Sequence, residues 1–282
     1  MPGISALPIP SIPHMCYAKV MQWSSWHNHT GDARFSYCAV EELSIATYRN
    51  ALDAGHFAAF AITEHAFSLN LPSEFCWPHQ WYYTPEKLWS NPAFREEKTT
   101  RFLERITENR GDKRLFFGLE AEIACDGSFT IDPLVRPYLD LVIGSVHFIP
   151  GSPDPIAEFF RQLDMLLVHD FDILGHPFRL LEEHLRGAPL PEEVLLETLR
   201  RAAAKGVAVE INGHTSFWGD VDILRRSNEM GYAVAFGLDA HHPNELRKYE
   251  YFESVLEKSG VDVETLRLYA PPVKSSVLTE PL

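Results

Sequence analysis

The segment Trp26-His27-Asn28-His29-Thr30 carries two histidines two residues apart. On a strand that spacing turns both imidazoles to one side, where they can grip a single cation. Histidine pairs at this spacing also occur as plain core or surface residues, so the pair alone carries little weight. The ordered series to which it belongs carries far more. Metal-type residues recur along the chain, each just after a short apolar run: His65 in Ala-Ile-Thr-Glu-His, Glu120 in Phe-Gly-Leu-Glu, His147 in Ile-Gly-Ser-Val-His, His176 in Ile-Leu-Gly-His-Pro, and Asp239 with His241 in Phe-Gly-Leu-Asp-Ala-His. A mixed set of imidazoles and carboxylates is the donor chemistry of a hydrolytic metal centre binding Zn, Mn or Fe. Glu120 has the character of a bridge, since its two oxygens can hold two cations about 3.5–4 Å apart.

The neighbouring residues divide. Glu122 shares the face of Glu120 only if the strand runs on, which makes it the weaker candidate. His242 points away from His241 in an extended chain. His56, His79, His169 and His184 fall at a helix end, in polar loops or ahead of a strand, and read as structural. His214, in Glu-Ile-Asn-Gly-His, lies past a strand end and is placed to support a ligand or face substrate. Arg179, shortly after Gly-His-Pro, is positioned for a bidentate grip on phosphate oxygens. Asp239 and His241 are the candidates to carry a proton.

What must position these groups is a set of buried strands. Seven apolar runs stand out: Trp23 to Trp26, Phe60 to Thr63, Leu115 to Gly118, Leu141 to Gly144, Phe171 to Gly175, Val207 to Ile211 and Val234 to Leu238. Runs that are apolar throughout suit parallel strands covered on both faces. Between them, Val40 to Ala54 (closed by Gly55), Pro85 to Asn109, Pro155 to His169, Pro191 to Lys205 and Asn244 to Lys258 read as helices. The expectation is an α/β fold, a βα barrel, in which loops after the strand ends build the site; every candidate ligand lies at such an end. The Pro- and aromatic-rich stretch Leu71 to Trp89 reads as a long loop able to cover that site.

The chain has 282 residues, 45% of them hydrophobic, enough for one barrel-sized domain from residue 23 to 282 behind an irregular Pro-rich leader over residues 1–22. A formal charge of -14 argues against binding long DNA or RNA and leaves a small phosphorylated substrate. Four cysteines without Cys-x-x-Cys spacing suggest reduced thiols in a cytoplasmic chain, and no apolar run is long enough to span a bilayer. Nothing in the pattern speaks to oligomeric state.

Taken in order, His-x-His, Thr-Glu-His, Gly-Leu-Glu, Gly-Ser-Val-His, Gly-His-Pro and Asp-Ala-His resemble the PHP family, the polymerase and histidinol phosphatase domain, over nearly the whole chain from Trp23 to about Leu268. The resemblance implies a distorted TIM-like (β/α)7 barrel with two or three divalent metals that hydrolyses phosphate esters. It implies His27, His29, Glu120 and Asp239 around one metal and Glu120, His147 and His176 around a second. His65 and His241 would serve a third, joined in the family by a histidine or acid soon after the His-x-His pair. Here Thr30 to Ala39 offers no histidine, leaving Asp32 or Cys38 as the candidate.

The expected chemistry is attack on phosphorus by hydroxide held between two cations, on a phosphomonoester such as histidinol phosphate or a nucleotide, or a small phosphodiester. Two other readings use the same residues. An amidohydrolase-type C–N or C–O hydrolase shares the histidine and aspartate order, but its usual carboxylated lysine has no counterpart near Glu120. A catalytically silent binding module is the other, and the complete ligand series speaks against it.

Overall fold

The computed structural model describes residues 22–186 and 188–272. The expected leader, Cys16 included, lies outside the described residues except for Gln22. Seven parallel strands follow one another in simple order: β1 (Trp23–Ser25), β2 (Phe57–His65), β3 (Leu115–Ala121), β4 (Leu141–Gly144), β5 (Ile173–Leu174), β6 (Ala208–Asn212) and β7 (Val234–Gly237). Each coincides with one of the seven apolar runs. The sheet curls so that its ends meet: Trp26 N donates to the Phe236 carbonyl (2.8 Å), Asp239 N to His27 O (2.8 Å) and His29 N to Ala240 O (3.2 Å). The chain is a (β/α)7 barrel, as expected.

Long helices lie outside it: α1 (Ile45–Asp53), α2 (Pro92–Asn109), α3 (Pro155–Leu166), α4 (Glu192–Lys205), α5 (Asp220–Met230) and α6 (Tyr249–Ser259). Their starts follow local chemistry. Ser44 and Thr47 form a reciprocal cap before α1, and Asn91 and Asp154 cap α2 and α3 with proline in the first turn. The expected helix from Val40 therefore begins later, at Ile45. The expected Pro85 and Asn244 helices each split into a 3-10 turn (Pro85–Trp89, Pro243–Arg247) and an α-helix. The Leu71 to Trp89 stretch is also partly helical, with single turns at Ser73–Cys76 and Gln80–Tyr83. No α-helix joins β3 to β4, where only the 3-10 turn Arg136–Tyr138 intervenes among the described residues.

Side-chain alternation layers the barrel interior. Phe60, Ile62, Phe117, Leu119, Val142, Leu174, Val209, Ile211, Val234 and Phe236 belong to the large cluster shared with the helices. Ala59, Ala61, Leu141, Ile143, Ile173, Ala208 and Ala235 form a second, inner cluster floored by Trp26. Two or four residues further along the same faces come His65, Glu120, Ser145, Glu210 and Asp239, all buried. Small apolar residues fill the lower lumen and polar ones the upper, at the C-terminal strand ends. No helix among the described residues is long and apolar enough to cross a membrane.

Candidate metal centre

Glu120 stands at the centre of the upper layer, fully buried on β3. Its two oxygens face different partners. Oε2 lies 2.9 Å from His65 Nδ1, 3.2 Å from His27 Nε2 and 3.6 Å from His29 Nε2. Oε1 lies 2.9 Å from His176 Nε2 and 3.1 Å from His147 Nε2, and accepts from Ser145 Oγ at 2.7 Å. Asp239 Oδ1 adds a second carboxylate on the first side, 3.1 Å from His29 Nε2 and 3.7 Å from His27 Nε2. All eight sequence-expected ligand residues, His27, His29, His65, Glu120, His147, His176, Asp239 and His241, thus converge on the mouth of the barrel.

The donors point at common centres more than at one another. His27 Nε2, His29 Nε2, His65 Nδ1 and Glu120 Oε2 are buried without a hydrogen-bond partner, despite approaches near 3 Å. Leaving so many buried polar atoms unsatisfied is costly, and cations would satisfy them together. His147 Nε2 and His176 Nε2 are 3.2 Å apart, the spacing of two nitrogens around one small cation. The residues therefore fit two cations sharing Glu120, with donor groups at His27, His29, Glu120 and at His65, Glu120, Glu122, His147; His29, His65 and His241 form a further group without Glu120.

Outer partners fix the rings. His27 Nδ1 is 2.8 Å from Glu210 Oε1 and His147 Nδ1 is 2.7 Å from Glu122 Oε1, so each ring donates outward and turns its Nε2 inward. Ser36 Oγ meets His29 Nδ1 at 2.9 Å, and His241 Nδ1 donates to the Asp239 carbonyl at 2.8 Å. Glu122, expected to be the weaker candidate, takes full part: the chain stays extended past β3, with Glu122 N donating to Thr130 Oγ1.

Glu210 escaped sequence reasoning altogether, although a carboxylate inside the apolar run Ala-Val-Glu-Ile-Asn was a readable signal. Its Oε2 also accepts from His176 N at 2.6 Å. Space for it comes from Gly237, where a Cβ would sit 1.9 Å from Glu210 Oε1 and 2.7 Å from the His27 Cβ. Glu64 was missed too. It is buried and bonded to Arg105 Nη1 (2.9 Å) and Thr30 Oγ1 (2.6 Å), a pair that braces the His29 segment.

Charge follows from this crowding. Burial opposes ionisation of Glu120 and Asp239, yet the surrounding histidines overcome it and hold both carboxyls well below their usual range. Burial likewise works against protonated His27, His65 and His147, but carboxylates outweigh it at His27 and His147, and Cys38 with Glu120 at His65; His147 rises to about 9. His29, buried beside His65, is pushed well below the ordinary histidine value.

Arg179 reaches the centre from the short helix Arg179–His184, its Nη1 3.4 Å from Asp239 Oδ2. It also lines a cleft of about 230 Å³ that leads from His176 between Phe178, Glu182, Thr215 and Phe217. His214 packs 4.9 Å from the His241 ring and pairs with Glu245 at 3.0 Å, a supporting place. The four histidines read as structural lie away from the donor groups. His56 stacks on Tyr249, His79 on Phe148 and His169 on Phe129, and His184 bonds its own helix. His242 caps the following 3-10 turn.

No family model matches the chain. Curated relatives do. A probable phosphatase of Vibrio vulnificus strain YJ016 is 26% identical over 256 residues, covering 87% of this chain and 88% of that protein. A probable phosphatase of Aliivibrio fischeri is 24% identical over 255 residues, covering 87% and 88%. The DNA polymerase/3'-5' exonuclease PolX of Bacillus subtilis is 27% identical over 152 residues, 53% of this chain but 26% of that protein. Among solved structures, histidinol phosphate phosphatase from Lactococcus lactis, complexed with zinc, L-histidinol and phosphate, superposes with a TM-score of 0.53 at 19% identity, covering 86% of this chain and 95% of that one. At that identity the likeness is one of fold.

Proposed function

We propose, on the premise that this chain is a metal-dependent phosphoesterase of the PHP type, that it releases phosphate from a small phosphomonoester whose alcohol portion occupies the cleft beside Arg179. The observation that carries this reading is the guanidinium of Arg179, set at once beside Asp239 and at the wall of that cleft. A planar cation with paired donors suits the non-bridging oxygens of a terminal phosphate and has no comparable use on an amide or lactone. The relatives named as phosphatases, and the zinc, L-histidinol and phosphate held by the structural neighbour, point the same way.

Cations in the donor groups would supply an activated water and take up charge on the phosphoryl oxygens. We assign His27, His29, Glu120 and Asp239 to one, and Glu120, His147 and His176 to the second. Glu210 and Glu122 keep the Nε2 atoms of His27 and His147 turned inward. Asp239, 3.4 Å from the Arg179 guanidinium, and His241, whose Nδ1 donates to the Asp239 carbonyl and leaves Nε2 open, are the two candidates to carry the proton. Phe178 and Phe217 exclude water from one side of the leaving alcohol, while Glu182, Thr215 and Ser216 offer it polar contacts.

The test is to strip the purified protein with chelator, restore Zn, Mn or Fe, and compare phosphomonoesters, phosphodiesters, small amides and lactones. Chelator-sensitive phosphate release from monoesters, sharply reduced by Arg179→Ala, is the expected result. Turnover of amides or lactones alone would replace this reading with the amidohydrolase one.

A further inference from the structure

Asn212 ends β6 beside the cleft, is only 3% exposed, and takes no part in the chemistry proposed above. Its side chain works in two directions. Nδ2 donates to Asp239 Oδ2 at 3.3 Å, while Oδ1 accepts from His214 N (3.0 Å), Thr215 N (3.1 Å) and Thr215 Oγ1 (3.4 Å). Only this orientation of the amide is satisfied, because the flipped one sets an oxygen against the Asp239 carboxylate and an NH2 against two backbone N–H groups.

One side chain thus joins a carboxylate of the first donor group to the wall of the cleft. The turn that it caps carries Thr215, Ser216 and Phe217, all of which line the cleft. Asp239 divides its two oxygens: Oδ1 faces His29 and His27, and Oδ2 faces Asn212 and Arg179. Its backbone is left-handed (φ 50°), a conformation that a non-glycine residue keeps where its surroundings hold it. Arg179 Nη1, 3.4 Å from Oδ2, is drawn to phosphate in the proposed reaction, whereas Asn212 stays.

We propose that Asn212 is a positioning residue, which holds Asp239 to the first cation by Oδ1 alone and, through the capped turn, ties that geometry to the cleft. A carboxylate released from Asn212 can swing and chelate with both oxygens, filling a position that the attacking water or a phosphoryl oxygen needs. The inference rests on the metal-dependent phosphoesterase reading, but its optical signature does not require turnover.

Cobalt(II) loaded into the chelator-stripped protein reports coordination number, since four- or five-coordinate cobalt absorbs visible light more strongly than six-coordinate. In Asn212→Ser the hydroxyl still caps the turn, more weakly, but is too short to reach Asp239; in Asn212→Ala both contacts go. With inorganic phosphate present to engage Arg179, Asn212→Ser is expected to show weaker visible bands than wild type at equal cobalt loading. Its kcat should fall by roughly 10- to 100-fold with KM near the wild-type value, and Asn212→Ala should lose as much kcat and raise KM as well. Arg179→Ala, with Asn212 intact, should keep the wild-type band intensity in cobalt alone. Unchanged bands in Asn212→Ser, a raised KM with kcat intact, or bands that weaken in Arg179→Ala would each overturn the assignment. The band difference without phosphate release from any ester, wild type included, would uphold it and sink the phosphoesterase reading. Absence of any cobalt spectrum in wild type would sink both.

Discussion

Glu210→Gln is the most discriminating perturbation, because it keeps shape and removes only charge and one acceptor. Glu210 accepts from His27 Nδ1 at 2.8 Å through Oε1 and from His176 N at 2.6 Å through Oε2. Glutamine has one oxygen for two donors. If the oxygen serves the His176 amide, the NH2 faces His27 Nδ1 and forces the proton onto Nε2, the nitrogen that faces Glu120. If it serves His27, the NH2 meets the His176 N–H inside the barrel. Without a cation the His27 ring can switch tautomer and relax; with one bound it cannot, so the penalty falls on the loaded state. A hydrogen bond to a charged group is worth about 1.5–3 kcal/mol, which converts to a loss of roughly 10- to 100-fold in cation affinity. The assay is competitive chelator titration, alongside activity as a function of free zinc. Activity should fall at limiting zinc and return at saturation. Unchanged affinity, or activity that stays lost at saturation, would refute the idea that Glu210 acts by orienting His27.

Gly237→Ala should destabilise the protein by about 1–3 kcal/mol in urea denaturation and weaken zinc binding, since its Cβ would sit 1.9 Å from Glu210 Oε1 beside a fixed His27; an unaltered denaturation midpoint would contradict it. Arg105→Met should cost roughly 3–5 kcal/mol by leaving buried Glu64 uncompensated, and Glu64→Gln in the same chain should recover part of it. Cation loading should strengthen as pH rises. His147, raised to about 9 by Glu120 and Glu122 against the effect of burial, carries a proton that a cation must displace, so affinity climbs with pH up to about 9 and weakens by up to about tenfold per pH unit below it. Chelator competition across that range checks the sign, and a flat profile would oppose it.

The strands were legible because their burial on both faces writes itself as unbroken apolar runs, and the donors because each follows such a run. What the pattern could not convey is tertiary. Helix α5, not among the expected helices, buries the polar Asp220 and Ser227 beside Ile223 and Leu224, so half of its inward face does not read as apolar. The pairing of Asp32 with Arg105, which lies far along the chain, leaves no local trace. Glu122 depended on whether β3 continued, a matter settled by Thr130 across a turn. Glu210 was readable as a lone carboxylate on an apolar strand, yet its partner His27 lies 183 residues away and no local spacing connects them.

Barrel closure and assembly of the donor groups are one event, because the seam between β1 and the end of β7 is built from the backbone of His27, His29, Asp239 and Ala240. Along this seam, Leu238 N and Ser25 Oγ meet from 213 residues apart. Earlier strands can pair as they are synthesised, but Asp239, the second carboxylate of the first donor group, waits for the last strand to arrive. An incomplete chain would hold Glu120, His147 and His176 but lack Asp239, so completion of the His27 and His29 group alone reports that the chain has run to β7. Once loaded, a cation clips one of the longest loops in the molecule, and the entropy of closing such a loop is withdrawn from the unfolded chain.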